Sequence, residues 1–189
     1  MYKNGGKRAL DIVLALLLAL PALVLCLVCI VAIRLEGSGP AVFRQVRVGR
    51  NERAFVLYKL RTMSRDTGDR ASHEVAASQI TRSGKFLRRT KLDELPQIFN
   101  VLRGDMSFVG PRPCLPSQTE LVAERRRQGA FDVRPGITGP AQLQGLDMSR
   151  PVELAAVDGR YALRPQLGQD LRHIIDTALG RGRGDAVKP

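Results

Sequence analysis

A chain of 189 residues is long enough for one domain with its own core. Its 30 Lys and Arg against 18 Asp and Glu leave a formal net charge of +12, which favours an anionic partner: nucleic acid, anionic lipid or a phosphorylated substrate. With no Trp and an aromatic content of 5%, the chain is poor in the stacking platforms that single-stranded nucleic acid usually needs, which weakens that reading.

The first element is apolar. Residues 12–33, IVLALLLALPALVLCLVCIVAI, carry no charge, and as a straight helix they would extend roughly 33 Å, close to the thickness of a bilayer core. No A-x-A site follows, which argues against a cleaved leader. Lys3, Lys7 and Arg8 precede the run and Arg34, Arg44, Arg47 and Arg50 follow it, so both flanks are basic. The positive-inside rule then picks no orientation for a spanning helix, but it is satisfied if both ends stay on one side. Pro21 near the middle predicts a kink. Sequence physics alone leaves re-entrant and spanning helices equally open. Asp11 is expected to pair with Lys7, four residues before it. Cys26 and Cys29 form a C-x-x-C spacing without a second pair, which predicts apolar packing rather than zinc.

After GSGP (37–40), the runs AVFRQVRV and RAFVLYKLRTM around GRNE predict a β-hairpin studded with cations. Residues 66–81 read as a polar loop, and GKFLRRT (84–90) as a short helix. The apolar spacing Leu95, Ile98, Phe99, Leu102 predicts a second helix ending at Gly104. Pro96 is tolerated only in a first turn, so this helix is expected to start near Asp93. Asp93 and Glu94 then have two readings: a helix cap with a dipole-favoured neighbour, or a chemical pair. The proline-stiffened segments 104–113 and 133–142 carry Arg112 and Arg134 and suit a phosphate clamp. Residues 153–179 predict one or two amphipathic helices, and GRGRGDAVKP (180–189) a disordered tail. His73 and His173 lack partner motifs, and H-E-x-x-H, G-x-x-x-x-G-K-[ST] and G-x-S-x-G are absent.

The blocks KRALDIVLALLLALPAL (7–23), GPAVFRQVRVG (39–49), FVLYKLRTM (55–63), GKFLRRTKLDELPQIFNVLRGDMSFVGPRP (84–113) and RPGITGPAQ (134–142) resemble the small monotopic phosphoglycosyl transferases of the bacterial sugar transferase family. The resemblance implies an irregular α/β-like fold: a re-entrant membrane helix kinked at Pro21 over residues 1–36, and a catalytic domain over 37–179 with a small β-hairpin and amphipathic helices lying on the membrane surface. Larger relatives add spanning helices before this core, so the chain corresponds to the minimal form. The implied reaction moves a sugar-1-phosphate from a UDP-sugar to polyprenyl (undecaprenyl) phosphate, releases UMP, and starts glycoconjugate synthesis at the cytoplasmic face of the inner membrane. Asp93 corresponds to the nucleophile that forms a phosphosugar-aspartyl intermediate, and Glu94 to a ligand of Mg²⁺. Where relatives often have Ser-Pro at the kink, this chain has Leu20-Pro21, which puts the satisfaction of the bend's backbone groups in doubt. Lys59, Arg61, Arg88 and Arg112 are the expected contacts to the substrate diphosphate, with attraction to anionic lipid as the plainer role of such cations. A non-catalytic basic adaptor at the membrane surface is the alternative from another class. A one-step transferase with Asp93 as base is disfavoured, because a phosphate monoester scarcely needs one.

Overall fold

The computed structural model describes residues 2–64 and 77–181. Its first helix, α1, runs from Lys7 to Glu36 with Pro21 inside it and no break in the helical run. The buried positions are Lys7, Asp11, Ala15, Ala22, Cys29 and Ile33, spaced by multiples near the helical repeat, so they form one stripe. That stripe packs along the rest of the protein. Ala15 and Ala22 join the core with Leu57, Ile98 and Val101, and Cys29 and Ile33 join Leu60 and Leu87. The opposite face is apolar and open: Leu16, Leu17 and Leu20 are 62%, 68% and 71% exposed. Cys26, Cys29 and Cys114 are free thiols, in line with apolar packing.

The predicted hairpin is present. Strand β1 (Val42–Val48) pairs antiparallel with β2 (Ala54–Leu60), with Val48 opposite Ala54. The turn between them holds Asn51 and Glu52 at positive φ. Helices α2 (Arg82–Thr90) and α3 (Gln97–Arg103) follow, joined through a 3₁₀ turn at Leu92–Glu94. Asn100, fully buried in α3, is an anchor: its Nδ2 donates to the Val56 carbonyl at 2.7 Å and its Oδ1 accepts from the Tyr58 N–H at 3.2 Å. A core Asn satisfied on both sides fixes α3 against β2 in one register.

A second, parallel pair joins β3 (Ser107–Val109) to β4 (Gly136–Thr138). Around it come α4 (Thr119–Arg127), α5 (Pro140–Leu143), α6 (Pro151–Leu163) and α7 (Leu167–Ala178). The segment 153–179 therefore forms parts of two helices. The outer face of α7 carries exposed Leu167, Leu171 and Ile175, and Leu179 follows one turn on. This four-residue period is the apolar stripe of a surface-lying amphipathic helix. The expected loop falls mostly outside the described residues, and so does the tail beyond Arg181. Arg181 itself is held by Asp176, its guanidinium donating at 2.8 Å.

The β3–β4 pair is built on close backbone approach. A Cβ at Gly136 would lie 2.1 Å from the Gly110 nitrogen and 2.4 Å from the Thr138 carbonyl oxygen, backbone atoms that cannot swing away. Gly136→Ala is expected to cost about 2 kcal/mol or more. A Cβ at Gly168, by contrast, meets nothing within 4 Å, and Gly168→Ala should be neutral or stabilising by roughly 0.5–1 kcal/mol. Thermal unfolding of the detergent-solubilised variants checks both. A Gly136→Ala variant as stable as the parent would show that the strand pair can separate without cost.

Candidate active site

Lys91 ends α2 in the left-handed conformation, φ 58°, and its N–H closes on the Arg88 carbonyl. The chain thereby reverses at once into the turn Leu92–Glu94. Helix α3 begins only at Gln97, with Pro96 at its cap position. Asp93 is thus not the cap of α3, which corrects the expected helix start. Pro96 is accommodated before α3 rather than in its first turn, and the turn ahead of it is held by the Glu94 and Leu95 N–H groups bonding back to Lys91 and Leu92. The cap reading of Asp93 therefore loses its geometry.

The turn buries Asp93, which is 5% exposed. Glu94 is gripped from two sides: Lys59 Nζ and an Arg112 terminal nitrogen each lie 3.2 Å from Glu94 Oε1. Lys59 comes from β2 and Arg112 from the segment after β3, so residues 35 and 18 positions away meet at one carboxylate oxygen. Arg88, in the last turn of α2, donates its Nε to Thr62 Oγ1 at 2.9 Å. Arg88 Nη1 is buried and has no hydrogen-bond partner among the described residues. A buried guanidinium donor left unspent is costly unless a ligand takes it. Arg61 goes elsewhere: its guanidinium donates to the Ser38 carbonyl at 3.1 Å near the end of α1. Of the four expected phosphate contacts, the structure brings Lys59 and Arg112 to Glu94, holds Arg88 one short turn before the dyad, and sends Arg61 to Ser38.

Several residues that position this site carried no sequence signal. Arg125 and Asp158 are each 1% exposed, and two Arg125 nitrogens lie 3.0 and 2.6 Å from Asp158 Oδ2. The third nitrogen donates to the Arg112 carbonyl at 2.7 Å, so this buried pair fixes the backbone of Arg112. Burial raises the Asp158 carboxyl above the usual carboxylate range, and the Arg125 charge opposes that rise. Lys7 does not pair with Asp11 as expected. It reaches Asp170 Oδ2 at 2.6 Å, where the Tyr2 hydroxyl also donates, and Tyr161 donates to Oδ1. Asp11 instead accepts from Ser107 Oγ at 2.9 Å and the Phe108 N–H at 3.0 Å. The local i,i+4 pair is thus replaced by longer-range partners from β3, α6 and α7.

Among the described residues no group of three or more His, Cys, Asp or Glu side chains is placed to hold a metal. Magnesium, however, is usually held by one or two carboxylates together with substrate phosphates rather than by an all-protein cage. Glu94, a single carboxylate beside cations that suit substrate phosphates, fits that mode.

Residues 2–181 match the bacterial sugar transferase family. The chain belongs to that family. It is 42% identical over 180 residues to UDP-glucose:undecaprenyl-phosphate glucose-1-phosphate transferase of Caulobacter vibrioides, covering 90% of this chain and 67% of the relative. A protein of the same name in Escherichia coli is 42% identical over 144 residues, 74% of this chain and 31% of the relative. The Aeromonas hydrophila UDP-N-acetylgalactosamine-undecaprenyl-phosphate N-acetylgalactosaminephosphotransferase is 42% identical over 145 residues, 72% of this chain and 33% of the relative. The chain thus spans about a third of the length of these two longer relatives. Glucose and N-acetylgalactosamine both appear among these names at equal identity, so similarity does not select the sugar.

Proposed function

We propose that this sugar transferase moves a sugar-1-phosphate from a UDP-sugar to undecaprenyl phosphate at a membrane surface and releases UMP. The observation that carries the reading is the dyad's setting: Asp93 buried in a tight turn, Glu94 held by Lys59 and Arg112, and a buried Arg88 nitrogen left unspent. A diphosphate brings two or three negative charges and would be repelled by bare carboxylates. Here Lys59 and Arg112 meet Glu94 directly and Arg88 lies five residues before Asp93, so cations offset the pair's charge.

In the first step an Asp93 carboxylate oxygen attacks the sugar-bearing phosphorus of the UDP-sugar. A phosphorus–oxygen bond forms, the bond to UMP breaks, and UMP leaves with the electron pair. In the second step a phosphate oxygen of undecaprenyl phosphate attacks the same phosphorus and frees the carboxylate. Splitting one displacement into two is the gain from a covalent nucleophile. Arg88 and Arg112 bind and orient phosphate oxygens, and the guanidinium fork is suited to two oxygens at once. Glu94 would hold Mg²⁺, which when bound neutralises the diphosphate.

Placement at one side of the membrane is supported by α1. Its start is tied down through Asp11 to Ser107 and Phe108, and its end through Glu36, whose carboxylate accepts from the Arg82 and Ser83 N–H groups at 2.6 and 2.9 Å. Both ends of the apolar run thus hold to one polar body, while the outward face is left for lipid. A spanning helix would carry one of those ends away. The re-entrant reading, with the active site on the cytoplasmic side of the inner membrane, satisfies the basic flanks as well. The exposed stripe of α7 adds a second contact with the bilayer surface.

The test is UMP release from a panel of UDP-sugars by the purified full chain with undecaprenyl phosphate, with and without Mg²⁺. Release with one sugar, dependent on acceptor and metal, supports the reading. No release with any sugar, from protein that remains folded and membrane-bound, points to the adaptor instead.

A further inference from the structure

A second cationic concavity lies at the other end of the hairpin from the dyad. It is a cavity of about 430 Å³ bordered by Lys3, Arg8, Arg50, Arg134, Asp11 and Asp132, among others. Two structural elements separate it from the active site. Lys59 lies five strand positions from Ala54, roughly 17 Å along β2, while Arg50 sits in the turn before that strand. Glu94 precedes α3, whereas the Gly104 carbonyl that holds Arg134 follows it.

The charges in this cavity are unbalanced. Asp11 accepts from Ser107 and Phe108, neutral donors, so Asp11 and Asp132 are two acids set against the four cations Lys3, Arg8, Arg50 and Arg134. Arg8 donates to the Val101 and Leu102 carbonyls and Arg134 to the Gly104 carbonyl, neutral partners that aim a guanidinium without cancelling its charge. Among the described residues, none of Lys3, Arg8, Arg50 and Arg134 is in an ion pair. Burial, and then Arg8 and Arg50, push the Arg134 guanidinium below its ordinary value, so like charges are held close together here. Such crowding is stable when an anion occupies the centre.

Position adds the chemistry. Lys3 and Arg8 stand at the start of α1, and the exposed apolar face opens at Ile12 and Val13. The cavity therefore lies where the chain meets the lipid surface. We propose that the cavity formed by Lys3, Arg8, Arg50 and Arg134 is a second, non-catalytic site for a phosphate group, supplied by the headgroup of an anionic phospholipid or by free phosphate. Bound there, the phosphate ties the hairpin turn, the end of α3 and the start of α1 to one ligand.

Binding to the full chain in a zwitterionic detergent tests this by native mass spectrometry, with three probes: short-chain phosphatidylglycerol, short-chain phosphatidylcholine and inorganic phosphate. Wild type should retain one phosphatidylglycerol and bind phosphatidylcholine at least tenfold more weakly. Arg50→Gln, at an exposed turn position, should weaken phosphatidylglycerol tenfold while UMP release stays unchanged. Arg134→Gln should weaken it similarly, and Arg88→Gln should leave it intact. Phosphate binding that competes with the lipid and is lost in Arg50→Gln assigns free phosphate as the source and supports the site. Equal retention of the two lipids overturns the proposal. So does binding that survives both Arg50→Gln and Arg134→Gln, or that is lost in Arg88→Gln alone.

Discussion

Asp93→Asn should fold like the parent and release UMP at a rate lower by roughly 10³-fold or more, the scale of losing a covalent nucleophile. The side chain keeps its size in a turn where it is 5% exposed, so its packing is preserved. The amide oxygen is a poor nucleophile toward phosphorus, so the first displacement fails. Asp93→Ala controls for slow deamidation of the Asn back to Asp. A second measurement isolates the step: the parent should exchange labelled UMP into UDP-sugar without undecaprenyl phosphate, and both variants should not. Folded Asn and Ala variants that still turn over would remove Asp93 from the covalent role. Exchange absent in an otherwise active parent would remove the two-step route. Glu94→Gln should lower the rate and its dependence on Mg²⁺ together, and an unchanged metal titration would take Glu94 out of the metal site.

Asp158→Ala should be the most destabilising single change away from the dyad, by about 3–5 kcal/mol, because it strands the buried Arg125 charge. In a chain of this length that lowers the thermal midpoint by roughly 6–20 °C. Arg125 is 1% exposed and spends two of its nitrogens on Asp158, so no solvent can replace the lost carboxylate. The paired change Arg125→Met with Asp158→Leu should recover most of the loss, since it removes both charges and keeps apolar volume. The pair also holds the Arg112 carbonyl. A thermal midpoint for Asp158→Ala within about 2 °C of the parent, well under the shift expected for a stranded charge, would show that Arg125 has another partner or reaches water.

Local elements were legible in the order of residues alone. The uncharged run forms a helix, the β-rich segments around Gly-Arg-Asn-Glu form the hairpin, and Gly104 at φ 90° ends α3 as its position suggests. These depend on neighbours a few residues away, which periodicity and turn chemistry report. The acid pair could be read from its own residues as a helix cap or as a chemical pair, and it became the candidate site through the resemblance of the 84–113 block to the sugar transferase family. Pairing across the chain came only with three-dimensional packing. Lys7 had an acid four residues away and took Asp170 instead, 163 positions on: Asp170 is a fully buried carboxylate also bonded to Tyr2 and Tyr161, while Asp11 is taken up by Ser107 and Phe108. Arg112 and Arg134 sit in similar proline-stiffened segments, yet one meets Glu94 and the other turns to Gly104. Arg61 and Arg88 were equal candidates in sequence, and packing sent one to the Ser38 carbonyl and left the other with an unspent buried donor. The direction in which a long cation points is set by the backbone that surrounds it in three dimensions, and that information is spread over the whole chain.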